Sequence, residues 1–164
     1  MSDRLRSLSN DFGQSPWIDS LKRAHLRDGT LARLVEREVC GVTSNPTIFQ
    51  TAFAGPTEYD AQITHLVSSD PSTESVFWTI AYDDIRDACD VLMPVYRRTA
   101  GVDGYVSLEV SPALALDGPA TTAAAREIHQ LVNKPNLMVK IPATEPCLES
   151  IEAMIAEGRT STSR

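Results

Sequence analysis

Short runs of residues that are either apolar or alternately apolar and polar are separated along this chain by longer stretches of helical periodicity. The runs at 17–19, 39–43, 105–111 and 137–141 are the predicted strands. The third run alternates, which places Val106, Leu108 and Val110 on one face and Ser107, Glu109 and Ser111 on the other. The fourth run is apolar except for Lys140.

Helical periodicity fills the segments between these strands. Leu31, Leu34 and Val35 share one helix face, and helices are predicted over 57–67, 72–99 and 120–132. A last helix is expected to follow Pro146 and to end at Gly158, because these residues suit a first turn and a C′ position. Two prolines are expected to interrupt regular structure: Asn45-Pro46 as a breaker where the second strand ends, and Pro94 as a kink or an end of its helix.

Four strand-then-helix units in succession indicate an α/β protein with parallel strands. Both a (β/α) barrel and a doubly wound sheet fit this pattern. An eight-stranded barrel needs about 250 residues, so four units correspond to about half of one. We expect residues 1–14 to form a polar segment that could be disordered, and 15–158 to hold the βα units. The polar residues 159–164 are expected not to continue the sheet.

The composition of the chain excludes several classes of protein. The 164 residues include 22 acidic and 15 basic side chains, for a net charge of −7, and no basic stripe that would bind nucleic acid. No apolar run reaches the roughly 18 residues of a membrane span, and the polar start is unlike a secretory leader. Cys40, Cys89 and Cys147 are too far apart for a disulfide framework or a zinc site. We therefore expect a cytoplasmic protein with reduced, mostly buried thiols.

Lys140 is the most unexpected residue, because a lysine in an apolar strand is costly to bury. Burial favours the neutral amine, which is a nucleophile towards carbonyls and forms Schiff bases. The alternative is a lysine that extends to water from the end of its strand. From the strand alone, that alternative is favoured.

Three further polar positions lie at predicted strand ends, and each has a structural alternative. Glu109 could line an active-site mouth, or lie on the wet face of an antiparallel strand. Asp19 could be a general acid or base, or a helix N-cap, and the cap is favoured. Thr43-Ser44-Asn45 could hold substrate hydroxyls, or cap the next helix. The dispersed histidines have no spacing typical of a metal site.

Four blocks of sequence resemble the transaldolase family in its longer, actinobacterial form. They are Trp17-Ile-Asp-Ser-Leu-Lys-Arg23, Gly41-Val-Thr-Ser-Asn-Pro-Thr-Ile-Phe49, Asp103-Gly-Tyr-Val-Ser-Leu-Glu-Val-Ser-Pro112 and Lys134-Pro-Asn-Leu-Met-Val-Lys-Ile-Pro-Ala-Thr144. The similarity extends from about Ser15 to Gly158, and the second and fourth blocks are highly specific.

The resemblance implies a (β/α)8 barrel enzyme of the pentose phosphate pathway that needs no metal or organic cofactor. Such an enzyme moves a dihydroxyacetone unit between sugar phosphates. Lys140 matches the Schiff-base lysine, Asp19 the acid/base aspartate and Glu109 the glutamate that transfers protons through a water. Asn45 matches the asparagine that holds the dihydroxyacetone part, with Thr43 beside it.

The sequence departs from the resemblance after Gly158. The family continues there with a fifth strand and later supplies a serine and an arginine that bind the sugar's phosphate. We expect a truncated chain, about half a barrel, with open sheet edges through which it could self-associate. Two alternatives to a transaldolase follow: an inactive remnant or half-barrel that needs a partner chain, and a related Schiff-base aldolase. No nucleic-acid or membrane partner is expected.

Overall fold

The computed structural model describes residues 2–55, 57–69, 71–159 and 161–163. Helices and strands alternate, and two short 3₁₀ turns, Pro112–Leu114 and Glu145–Cys147, lie at helix entrances. The strands are β1 (Trp17–Ile18), β2 (Gly41–Thr43), β3 (Tyr105–Glu109), β4 (Leu137–Ile141) and β5 (Ser161–Ser163). The helices are α1 (Ser2–Asn10), α2 (Arg23–Arg27), α3 (Thr30–Glu36), α4 (Pro46–Phe53), α5 (Asp60–Val67), α6 (Thr73–Arg98), α7 (Gly118–Val132) and α8 (Leu148–Ala156).

The five strands form one parallel sheet in the order β1-β2-β3-β4-β5. Each strand pairs with its neighbour in the sequence, as in a (β/α) barrel, whereas the order of a doubly wound sheet reverses at a switch point. The prediction of a parallel α/β fold is confirmed, and the sequential order favours part of a barrel. Among the described residues, no helix has both the length and the apolar character needed to cross a bilayer.

The core lies between one face of the sheet and the helices. The alternation in β3 is confirmed, because Val106, Leu108 and Val110 are fully buried. Helix α6 contributes Ile85, Ala88 and Leu92 to the same cluster. The opposite face carries the polar side chains of Thr43, Ser107, Glu109 and Lys140, so the two faces have different chemistry. The fully buried strand residues of the core are Val42, Val106, Leu108, Leu137, Val139 and Ile141.

The two predictions about proline have different outcomes. An end of the helix at Pro94 is wrong, because α6 continues through it to Arg98, with Leu92 and Val95 on either side packed in the core. The breaker at Asn45-Pro46 does follow the end of β2 at Thr43, and Pro46 also begins α4. Proline suits that first position because its missing N–H would have no partner within the helix.

Both chain ends differ from the sequence-based expectation. Residues Ser2–Asn10 form a helix where a polar segment open to disorder was expected, and Arg6 is ion-paired with Glu38 at 3.2 Å. The expectation that 159–164 would leave the sheet is wrong, because Ser161–Ser163 pairs in parallel with β4. Backbone hydrogen bonds to a strand edge need no apolar side chains, so a polar sequence can extend a sheet. Gly158 follows α8 with a φ of +68°, as predicted for a C′ glycine.

The three cysteines are free and buried, as predicted, and their burial has a consequence at alkaline pH. Burial raises the pKa of Cys89 to about 12. Unfolding releases this thiol to ionise near its ordinary pKa of 9.0. Because the folded pKa is the higher one, the stabilisation is complete below about pH 9 and is lost as the pH rises towards 12.

We therefore expect the free energy of unfolding, measured by urea denaturation, to fall steadily between pH 8.5 and 10.5. Tyr82, whose pKa burial also raises to about 12, should add to the fall. The control variant Cys89→Ala should show a shallower pH dependence than the unsubstituted chain. Equal slopes for the two proteins would show that Cys89 is not the source.

Candidate active site

Polar side chains gather at the carboxyl ends of four neighbouring strands. Asp19 directly follows β1, Thr43 ends β2, Glu109 ends β3 and Lys140 is the penultimate residue of β4. In parallel barrels the active site is at this end of the strands. The antiparallel alternative for Glu109 is wrong, because β3 is parallel to both of its neighbours. The sheet therefore brings the predicted site residues to one edge.

Lys140 is buried, with only 7% of its surface exposed. Its Nζ donates a hydrogen bond to Thr43 Oγ1 at 3.2 Å and lies 3.4 Å from Glu109 Oε2. The register pairs Glu109 directly with Lys140, which accounts for their contact. The side chain thus points across the sheet towards β3 and β2. The alternative, in which it extends to water, is wrong.

Ser107 is a member of this cluster that the sequence analysis did not select. It is almost fully buried, and its Oγ donates to Thr43 Oγ1 at 3.0 Å. Thr43 Oγ1 therefore accepts from both Ser107 and Lys140. A signal was present in the sequence, because Ser107 lies two residues before Glu109 and so shares its face of β3.

Asn45 caps helix α4, with its Oδ1 accepting a hydrogen bond from the Ile48 N–H at 3.0 Å. The capping alternative for this residue is thus realised. A cap uses only the amide oxygen, and the Nδ2 group donates no hydrogen bond to the described residues. The orientation of Asn45 is fixed while its two N–H donors stay available to a ligand.

Asp19 does not have the capping role that its position suggested. Helix α2 begins at Arg23, and its N-cap is Lys22, whose side chain makes no capping hydrogen bond. Asp19 is exposed, and its carboxylate makes no hydrogen bond or ion pair with the described part of the chain. A carboxylate without internal partners is free to accept a proton from a ligand.

An open cavity of about 610 Å³ brings Asp19, Asn45 and Glu109 together. Lys140 and Thr43 do not line it, but Lys140 contacts Glu109, which does. Residues 2–55, 57–69, 71–159 and 161–163 contain no group of three or more His, Cys, Asp and Glu that could hold a metal ion. The cavity's other polar or charged lining residues are Ser20, Lys22, Thr47 and Thr51.

A buried charge pair outside the cavity was also missed. Arg23 Nε donates to Asp84 Oδ1 at 2.6 Å, and the two residues are 5% and 1% exposed. Asp84 lies four residues after Ile80 and four before Ala88, which places an acid within the apolar stripe of α6. An acidic residue at an apolar position of a helix indicates a buried basic partner, and this signal was present in the sequence.

Comparison with known proteins gives a consistent match. Residues 16–162 match the family model described as "Transaldolase/Fructose-6-phosphate aldolase". The chain is 50% identical over 159 residues to a transaldolase of Thermobifida fusca, covering 96% of this chain and 43% of that protein. Over 150 residues it is 47% identical to a transaldolase of Kocuria rhizophila, covering 91% of this chain and 41% of that protein. The chain thus spans about two fifths of the length of the curated relatives it matches.

Proposed function

Since the chain belongs to the transaldolase and fructose-6-phosphate aldolase family, we propose that it takes part in dihydroxyacetone transfer through a Schiff base on Lys140. The reaction converts sedoheptulose 7-phosphate and glyceraldehyde 3-phosphate to erythrose 4-phosphate and fructose 6-phosphate, in the cytoplasmic pentose phosphate pathway. The observation that carries the proposal is the buried Lys140 amine, held between Glu109 and Thr43.

The first step requires an uncharged amine. Glu109 lies 3.4 Å from Lys140 Nζ, within reach to take a proton from the ammonium directly or through one water. The free amine then attacks the ketone carbon of the sugar, and loss of water leaves a protonated imine. Thr43, which accepts a hydrogen bond from Nζ, orients the amine for this attack.

The second step breaks the bond between C3 and C4 of the sugar. Asp19 takes the proton of the C4 hydroxyl, and that carbon leaves as an aldehyde. The electrons of the broken bond flow into the imine, which becomes a neutral enamine on Lys140. Addition of an acceptor aldehyde reverses these steps, and Asp19 returns its proton to the new hydroxyl.

Asn45 suits the binding of the three-carbon unit that stays on the lysine. Its side chain lines the cavity, and its amide N–H groups are available as donors to substrate hydroxyl oxygens. Because the amide oxygen is held by Ile48, the donors face a fixed direction. Such preorganisation lowers the entropic cost of binding.

The borohydride experiment tests the Schiff base directly. The chain is incubated with fructose 6-phosphate, sodium borohydride is added, and the digest is analysed by mass spectrometry. We expect a reduced adduct on the peptide that contains Lys140. The sequence has two other lysines, Lys22 and Lys134, and these serve as internal controls in the same digest. Lys22 lines the cavity, so modification there would reveal nonspecific reaction.

Absence of an adduct on Lys140 would reject an autonomous enzyme and favour the half-barrel alternative. That alternative has its own support, because β1 and β5 each have only one pairing partner in the described sheet. Product analysis separates transfer from simple aldol cleavage. A transaldolase should release little free dihydroxyacetone and should form a new sugar phosphate only when an acceptor aldehyde is added.

A further inference from the structure

Asp19 belongs to a short segment that is anchored at both of its ends. On one side, Ile18 pairs with Val42 in the sheet. On the other side, Leu21 and Arg23 are both buried. Asp19 itself is exposed and has no side-chain partner in the described part of the chain. The backbone of the segment alone therefore sets the position of its carboxylate.

The anchor at Arg23 is a hydrogen-bonded group of three buried side chains, Arg23, Tyr59 and Asp84, called here the Arg23 cluster. The guanidinium Nε donates to Asp84 Oδ1 at 2.6 Å, and the Tyr59 hydroxyl donates to Asp84 Oδ2 at 2.8 Å. The guanidinium also lies over the ring of Tyr59, 4.4 Å from its centroid. Both carboxylate oxygens of Asp84 are thereby satisfied inside the protein.

Tyr59 connects this charge pair to the backbone of the Asp19 segment. Its hydroxyl oxygen accepts a hydrogen bond from the Arg23 backbone N–H at 3.2 Å while its proton goes to Asp84. Burial, reinforced by the negative charge of Asp84, raises the pKa of Tyr59, so the hydroxyl keeps the proton it donates. The first residue of α2 is thus tied to the middle of α6.

Stability alone gives little reason for such an arrangement. Replacing a buried ion pair by well-packed apolar residues is often neutral or stabilising, whereas a charge pair with several directed hydrogen bonds permits one geometry. We propose that Arg23, Tyr59 and Asp84 are positioning residues that hold the backbone of Asp19 at the mouth of the cavity. This inference rests on the proposed function, since it assigns the cluster to the cleavage step that Asp19 serves.

The variant Tyr59→Phe tests the inference, because it removes the hydroxyl but keeps the ring beneath Arg23. The matched control is Tyr105→Phe, whose hydroxyl also donates a hydrogen bond, to the backbone oxygen of Gly101 at 2.7 Å, but at the amino end of β3. Three quantities are measured: amide hydrogen exchange, the borohydride-trapped adduct on Lys140, and the rate of aldehyde release from fructose 6-phosphate.

We expect Tyr59→Phe to speed amide exchange about 10-fold at His25 and Leu26, whose N–H groups donate to Lys22 O at the end of this segment, and to leave exchange in β4 unchanged. The Arg23 amide is excluded, since its own acceptor is deleted. Adduct formation should stay at the unsubstituted level while aldehyde release slows about 10-fold, because the loss of one hydrogen bond to a charged group corresponds to at least that factor. Tyr105→Phe should change none of these quantities.

Two results would overturn the inference. In the first, exchange at His25 and Leu26 in Tyr59→Phe matches that of the control. In the second, exchange rises throughout the chain and adduct and aldehyde fall together, as for a cluster that only stabilises the fold. If the unsubstituted chain forms no adduct at all, the proposed function fails, and the exchange at His25 and Leu26 still decides whether the cluster holds the segment.

Discussion

Asp19→Asn is expected to leave the borohydride-trapped adduct on Lys140 intact while slowing aldehyde release by about 10²- to 10⁴-fold, the usual contribution of a general acid or base. In the proposed mechanism, imine formation uses Lys140 and Glu109, which contact each other, and does not use Asp19. Bond cleavage needs an acceptor for the hydroxyl proton, and asparagine cannot accept it. The measurement compares the yield of adduct with the rate of aldehyde formation from fructose 6-phosphate.

Ser20→Ala is the matched control for this prediction. Ser20 is the next residue, lines the same cavity and carries no charge. If Asp19 supplies proton transfer, Ser20→Ala should slow aldehyde release by a factor at least about 10 times smaller than Asp19→Asn does. Equal losses in the two variants, or loss of the adduct in Asp19→Asn, would contradict the role assigned to Asp19.

Gly104→Ala is expected to lower the free energy of unfolding by about 2 to 5 kcal/mol, from left-handed strain of about 1–2 kcal/mol and overpacking of about 1–3 kcal/mol. Gly104 precedes β3 with a φ of +89°, and a Cβ there would lie 2.2 Å from the backbone N of Tyr96. Helix α6 and the start of β3 would have to separate. Urea denaturation measures the loss.

Gly158→Ala isolates the conformational part of this effect. Its φ of +68° is also left-handed, but a Cβ would meet no atom within 4 Å. The expected loss is therefore about 1–2 kcal/mol, the strain alone. If Gly104→Ala were no more destabilising than Gly158→Ala, close packing of α6 against β3 would not be what requires glycine at 104.

The strands that carry the site could be predicted because their patterns are local. In β3 the alternation of Val106 and Leu108 with Ser107 and Glu109 assigns each side chain to a face, since neighbouring residues of a strand point to opposite sides. The single lysine of β4 was conspicuous for the same reason. The roles of Lys140, Glu109, Asp19, Thr43 and Asn45 in the reaction stay predictions.

Helix α4 and the function of Asn45 as its cap show where local patterns were insufficient. Proline is compatible with a chain break and with a first helical turn, and only the path of the chain decides between them. The polar strand β5 is a similar case, because its place depends on the free edge that β4 offers and not on its own side chains.

Periodicity and unusual residues in the sequence alone indicated an α/β chain of parallel strands and identified a lysine worth attention, since both follow from the directions of neighbouring side chains. The tertiary structure alone decided which groups meet. The contact of Lys140 with Glu109 depends on the register of two strands, and the pairing of Arg23 with Asp84 joins residues 61 positions apart. Hydrogen bonds and burial act over a few ångströms, so their partners are determined only when distant segments have folded together.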